Sequence, residues 1–249
     1  MKKIFKNILI STALLLSSLG CFAGPNVFLE GDSWLGGQFN KFASEQIDGY
    51  LGIPTLKVAL NSELSTHLLW HLNYLYNTGL NLGDGVVMVI DVGLPDFLAT
   101  PPIPRSLTLS NLENVVSLNA AHGIYTIISG APNVTSGTQL TDGTPLVIDP
   151  IYAQVKASHP EWVQIIDVQS VLMQIEPLRL STDNAVHLND NGYALFNLVL
   201  ANKVREAIGL GAVYHAQSDV FAWLASAGLN AHDACIAAKL VEMSYGCNT

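Results

Sequence analysis

Apolar residues in this chain fall into two kinds of run. Val27-Phe28-Leu29, Thr55 to Leu60, Val86-Val87-Met88-Val89-Ile90, Ile124 to Ser129 and Val163 to Val168 are short and nearly unbroken, with turn residues at their borders. Runs of this length predict strands, and the continuous Val86–Ile90 run predicts one buried on both faces. Between them the apolar positions recur every three or four residues. Leu64, Leu68, Leu72 and Leu75 predict a helix over Glu63–Tyr76, with Asn61 or Ser62 placed to cap it. Similar spacing predicts helices over Phe39–Ile47, Leu109–His122, Asp149–Ser158 and Asp190–Ile208. Pro95–Pro104 is rich in proline and Ala131–Pro145 in Gly, Thr and Asn, so both read as loops. Strand and helix alternate throughout, which predicts an α/β fold: a doubly wound, mostly parallel sheet in a three-layer α/β/α arrangement. In such sheets ligands sit outside the carboxyl ends of the strands.

The two ends of the chain stand apart from this alternation. Lys2, Lys3 and Lys6 precede an apolar run from Ile8 to Leu19, and Cys21-Phe22-Ala23 supplies small residues three and one positions before a cut. Residues 1–23 therefore read as a secretory signal peptide, too short in its apolar part to span a bilayer comfortably. A lipoprotein signal that uses Cys21 is the rival reading, although Ser18 stands where such signals usually carry leucine. On this division residues 24–210 form the α/β domain. Residues 211–249 form a short C-terminal helical appendage, with helices expected over Asp219–Ala227 and Ala231–Ser244 on either side of Gly228. The appendage reads as a packing element or a substrate lid.

Charge narrows the partners. Loss of residues 1–23 removes three lysines and no acid, taking the net charge from −9 to −12. An acidic chain without Lys/Arg clusters is a poor match for nucleic acid or for an anionic membrane surface. Two cysteines survive that cleavage, Cys235 and Cys247. In an oxidising exported compartment they are expected to pair. Localisation is thus expected to be periplasmic or secreted, with no integral membrane span.

Candidate chemistry begins where the first strand stops. Gly31-Asp32-Ser33 follows Val27–Glu30 directly, and Gly36-Gly37 precedes the next helical pattern. All three residues favour turns, so an ordinary turn is one reading. A strand–turn–helix junction also holds a hydroxyl at the sheet edge beside backbone N–H groups. Serine is a poor nucleophile at neutral pH and needs a base to take its proton. His187, in Asp183-Asn184-Ala185-Val186-His187-Leu188-Asn189 shortly before the last helix, is the candidate. Its unperturbed pKa of ~6.5 leaves imidazole mostly neutral there.

Gly31-Asp32-Ser33 together with His187-Leu188-Asn189-Asp190-Asn191-Gly192-Tyr193 resembles the GDSL/SGNH hydrolase family, over about residues 26–208 in element order. The resemblance implies an ester hydrolase in which Ser33 is the nucleophile and His187 its base. It also implies an aspartate three residues before the histidine. Asn184 stands there instead, and Asp183 is one step further back. Either a bulge lets Asp183 reach the imidazole, as the catalytic set Ser33, Asp183 and His187 assumes, or Asn184 orients the ring without supplying charge. The oxyanion site implied is the Ser33 N–H with the Gly93-Leu94-Pro95-Asp96 segment, so that Gly93 and Asp96 join Ser33 as oxyanion or substrate-binding residues. In that segment Pro95 occupies the place of the family's asparagine and carries no donor. The family's second-strand glycine is also missing from Asn61–Ser65.

No cofactor is implied, and the substrate is expected to be a small ester or a lipid acyl ester. Trp34 and Phe97 hint at an apolar acyl pocket. His67 and His71 lie four apart on one predicted helix, a metal-ligand spacing, but no third ligand is evident in the sequence. They read as packing or surface histidines, and no metal site is expected. A binding protein on a decayed hydrolase scaffold is the alternative function, motivated by Pro95 and Asn184.

Overall fold

The computed structural model describes residues 27–36, 39–57, 63–78, 87–91, 93–129, 149–166, 169–173, 175–179, 187–210, 226 and 228–240. Five parallel strands form one sheet: β1 (Val27–Gly31), β2 (Thr55–Lys57), β3 (Val87–Asp91), β4 (Tyr125–Ile128) and β5 (Val163–Ile165). The order is β2-β1-β3-β4-β5, with Val27 opposite both Thr55 and Val87 and Gly31 opposite Asp91. The helices are α1 (Ala43–Leu51), α2 (Ser65–Asn77), α3 (Leu94–Leu98), α4 (Arg105–Ala121), α5 (Asp149–Ser158), α6 (Gln169–Leu172), α7 (Asp190–Ala207) and α8 (Ala231–Leu240).

Side chains alternate across β1. Val27 and Leu29 enter a core layer with Ile47 and Leu51 of α1, Phe196, Leu200 and Val204 of α7, and Ala234 and Ala237 of α8. Phe28 enters the opposite layer with Leu68 and Leu72 of α2, Leu112, Val115 and Val116 of α4, and Val155 of α5. This is the three-layer α/β/α fold expected from the alternation of runs. Burial on both faces of β1 explains why it reads as an unbroken apolar run rather than an alternating one.

The elements differ from their predicted bounds where local geometry overrides periodicity. The first helix runs over Ala43–Leu51, not Phe39–Ile47, and stops where Gly52 takes a left-handed φ of 72°. The Pro95–Pro104 loop contains α3, whose first turn accommodates Pro95 because the missing N–H would be unpaired there anyway. The helix expected from Leu109 begins a turn earlier, at Arg105, directly after Pro104. No side chain of Leu64, the N-cap of α2, caps that helix. Asn61, Ser62, the Ala131–Pro145 segment and Asp219–Ala225 lie outside the described residues, as do Cys21 and residues 1–23. Cys235 is disulfide-bonded, and Cys247, its expected partner, is likewise outside them. Among the described residues no helix is long and apolar enough to cross a membrane.

Candidate active site

The strand order places a crevice at the carboxyl edge of the sheet. From β1 the chain goes first to β2 on one side, while β3 pairs on the other. The loops leaving β1 and β3 therefore diverge, and open α/β sheets bind ligands at this switch point. Both loops begin with a glycine in a conformation that side chains rarely adopt: Gly31 has φ 144° and Gly93 φ 128°. Beyond Gly31 the chain turns tightly. The Asp32 carboxylate accepts from the Trp34 N–H at 3.0 Å, and the Asp32 carbonyl accepts from the Leu35 N–H at 3.2 Å. This turn buries Asp32 and Trp34 and leaves Ser33 half-buried at the rim.

Ser33 Oγ lies 2.8 Å from His187 Nε2, a hydrogen bond between residues 154 apart in sequence. The imidazole is held from behind by the start of α7. Leu188 bridges Arg179 in antiparallel fashion, and the Asn189 N–H donates to the Leu178 carbonyl at 2.8 Å. Asn189 is the N-cap of α7: its Oδ1 accepts from the Gly192 N–H at 3.0 Å while its Nδ2 donates to the Pro177 carbonyl at 2.7 Å. Gly192 is packed so closely that a Cβ would lie 2.6 Å from the Leu178 carbonyl oxygen. Asn189 and Gly192 thus fix the start of α7 directly after the imidazole.

The opposite side of that imidazole is covered. Phe39 stacks on His187 with ring centroids 3.6 Å apart and planes within 6°. Phe39 is itself anchored through its neighbour Asn40, whose Nδ2 donates to the Trp34 carbonyl (2.7 Å) and to Asn197 Oδ1 (2.8 Å). Asn197 Nδ2 in turn donates to Gln46 Oε1 at 2.7 Å. This buried amide network ties the serine loop to α7, the helix that the histidine precedes. Phe39 lies before α1 rather than inside it, so the helical pattern over Phe39–Ile47 gives no sign of this contact. The available signal was Asn197, a polar residue inside the apolar run Leu195–Leu200.

Other expected site residues sit elsewhere. Asp96 is fully buried, and its oxygens accept from the Ser65 N–H (2.8 Å), Ser65 Oγ (2.5 Å) and Thr108 Oγ1 (2.6 Å). Its carboxylate joins α2, α3 and α4 rather than facing a substrate, and it supplies the cap that Leu64 cannot. Trp34 is not a pocket residue either: it is buried edge-on against Tyr193 and Phe196, at 5.2 Å from the latter. Phe97 is buried in the other layer. Both bulky rings are more stable in core than on a wet rim. Gly93 borders the crevice, and Pro95 stands half-buried in the first turn of α3. Asp183 and Asn184 lie outside the described residues.

On the α2 side of β1 the histidine pair of the sequence acquires company. His71 Nδ1 is 3.2 Å from Glu30 Oε1 and 2.8 Å from Glu63 Oε1, with both glutamates buried. Burial first, and the adjacent Glu63 second, push the Glu30 carboxyl up to about 8. His67 is exposed one turn earlier.

No protein-family model and no curated protein matches the sequence. Solved structures do match in fold. The lipase/acylhydrolase from Enterococcus faecalis superposes with a TM-score of 0.56 at 17% identity, covering 77% of this chain and 100% of that one. A member of the lipolytic G-D-S-L family from Veillonella parvula gives 0.57 at 18%, over 70% and 94%. The psychrotrophic esterase EstA from Pseudoalteromonas sp., in a structure inhibited by monoethylphosphonate, gives 0.54 at 15%, over 74% and 98%. The fold of this chain is the GDSL/SGNH hydrolase fold.

Proposed function

We propose that this chain is an exported serine hydrolase that cleaves carboxylic esters through an acyl-enzyme on Ser33. One observation carries the reading: the Ser33 Oγ–His187 Nε2 hydrogen bond at the carboxyl edge of β1. The esterase, lipase and acylhydrolase names of the fold neighbours support it.

In the first step Ser33 Oγ attacks the ester carbonyl while its proton passes to His187 Nε2. The new Oγ–acyl bond forms as the bond to the alcohol oxygen breaks, and His187 returns the proton to that oxygen. Water then attacks the acyl group by the reverse route and leaves a carboxylic acid and free Ser33. Phe39 and the Asn189 cap hold the imidazole in place between the two steps, so little ordering is needed when the charge develops. The Ser33 and Gly93 N–H groups are the oxyanion donors of this reading. Pro95 withholds a third, and one absent donor costs about 10²–10³ in rate. Slow turnover of small or lipid esters is therefore expected. The signal peptide of residues 1–23 and a Cys235–Cys247 bond belong to the same exported reading.

Pro95 also supports a second reading, an ester-binding protein that no longer turns over. A fluorophosphonate probe separates the two. Covalent labelling of wild-type protein but not of Ser33→Ala, together with p-nitrophenyl acetate hydrolysis lost in Ser33→Ala, supports the enzyme. Equal hydrolysis by both proteins removes Ser33 from the chemistry, and absence of labelling with retained ester binding favours the binding protein.

A further inference from the structure

β1 is apolar on both faces except at Glu30. Strand alternation puts this side chain on the Phe28 side, facing α2, where no part of the residue reaches solvent. Glu63, just before α2, is 2% exposed, and His71 sits in the second turn of α2 with 28% of its side chain exposed. One ligand atom from each of the three residues lies within 4.8 Å of the others. The donor set is two carboxylate oxygens and one imidazole nitrogen. Glu30 Oε1 meets His71 Nδ1, whereas Glu30 Oε2 is buried without a hydrogen-bond partner. A buried acceptor with nothing to accept from is uncommon in folded proteins, and a bound cation is one group that would satisfy it. Holding a second carboxylate charge beside the first in a dry interior is costly unless positive charge is brought to the pair.

We infer that Glu30, Glu63 and His71 form a binding site for one divalent transition-metal ion, with Zn²⁺ the best match to its mixed oxygen and nitrogen donors. Zinc–ligand bonds of about 2.0–2.2 Å place tetrahedral ligand atoms about 3.4 Å apart. The observed His71–Glu30 and His71–Glu63 separations of 3.2 and 2.8 Å reach this by opening a few tenths of an ångström. Glu30 Oε2 or a water completes the shell. The ion would replace the direct imidazole–carboxylate contacts and join the carboxyl end of β1 to the start and second turn of α2. Glu30 is three residues before Ser33, so the ion would brace the strand that presents the serine without touching it. The inference stands on its own geometry and does not depend on ester hydrolysis.

The test uses the full purified chain, stripped with EDTA and desalted. Zn²⁺ is then added, bound metal is counted by elemental analysis after a second desalting, and melting is followed with and without Zn²⁺. One ion per chain is expected, with a melting temperature raised by at least ~4 °C, as for a ligand at a hundredfold or greater excess over its Kd. Glu30→Gln and Glu63→Gln keep the side-chain shape, and each should weaken binding at least tenfold; His71→Gln should do the same if either glutamate variant fails to fold. His67→Ala and Ser33→Ala should bind as the parent does. Absence of bound metal and of any melting shift in the parent overturns the site. So does binding that survives Glu30→Gln but is lost in His67→Ala, which would place the ion on the surface of α2.

Discussion

Replacing Gly192 by alanine sets a backbone preference against a steric contact, and the structure says which wins. Gly192 occupies the first turn of α7, where alanine is intrinsically better than glycine by up to ~1 kcal/mol. The added Cβ, however, would meet the Leu178 carbonyl oxygen at 2.6 Å and Leu188 Cβ at 2.8 Å. Neither neighbour is the end of a flexible chain. The carbonyl is committed to the Asn189 N–H at 2.8 Å, and Leu188 is buried. To reach ordinary contact the oxygen must retreat from 2.6 to 3.4 Å, a shift typical of overpacking that costs about 1–3 kcal/mol. The steric term wins, for a net loss of about 1–2 kcal/mol and a melting temperature lower by about 2–8 °C. Leu188 adjoins His187, so the displacement also reaches the imidazole that serves as base in the proposed mechanism. Misplacement of a catalytic group on the ångström scale lowers rate by as much as ~10², and kcat/KM for a p-nitrophenyl ester should fall at least tenfold. Gly49→Ala is the matched control, since nothing lies within 4 Å of a Cβ added to this exposed glycine of α1. It should melt up to a few degrees higher, at roughly 0.4–1 kcal/mol of added stability, with unchanged activity. A Gly192→Ala protein as stable and active as the parent would refute the claim that this contact positions His187.

Asp183→Asn should lower kcat by at least ~10², while Asn184→Ala costs far less, because only Asp183 carries charge to stabilise an imidazolium; steady-state kinetics showing the reverse order would make Asn184 the orienting residue. Asp96→Ala should cost about 3–5 kcal/mol in urea unfolding, since it strands the Ser65 N–H, Ser65 Oγ and Thr108 Oγ1 donors in a dry interior. A loss under about 1 kcal/mol would show that those groups find other partners.

The layers of this protein, its parallel strands and the two segments that meet at the crevice are written in its local sequence pattern. Unbroken apolar runs report burial on both strand faces, and three-to-four spacing reports one buried helix face, so each can be read within a short window. Gly31-Asp32-Ser33 is legible as a sharp turn after a strand, and His187–Gly192 through its resemblance to the GDSL/SGNH family. Packing of distant elements sets which remote groups become neighbours. The order β2-β1-β3-β4-β5 brings Ser33 to His187 across 154 residues and lays Phe39 on the imidazole. It also sends Asp96 inward to Ser65 and Thr108, and Trp34 and Phe97 into the core, where local reading had placed all three near substrate. In the sequence His67 and His71 form a pair without a third ligand. Pairing β1 with α2 is what buries Glu30 beside Glu63 and His71, because a side chain's partners are set by which elements pack together, and periodicity reports only the face it points from.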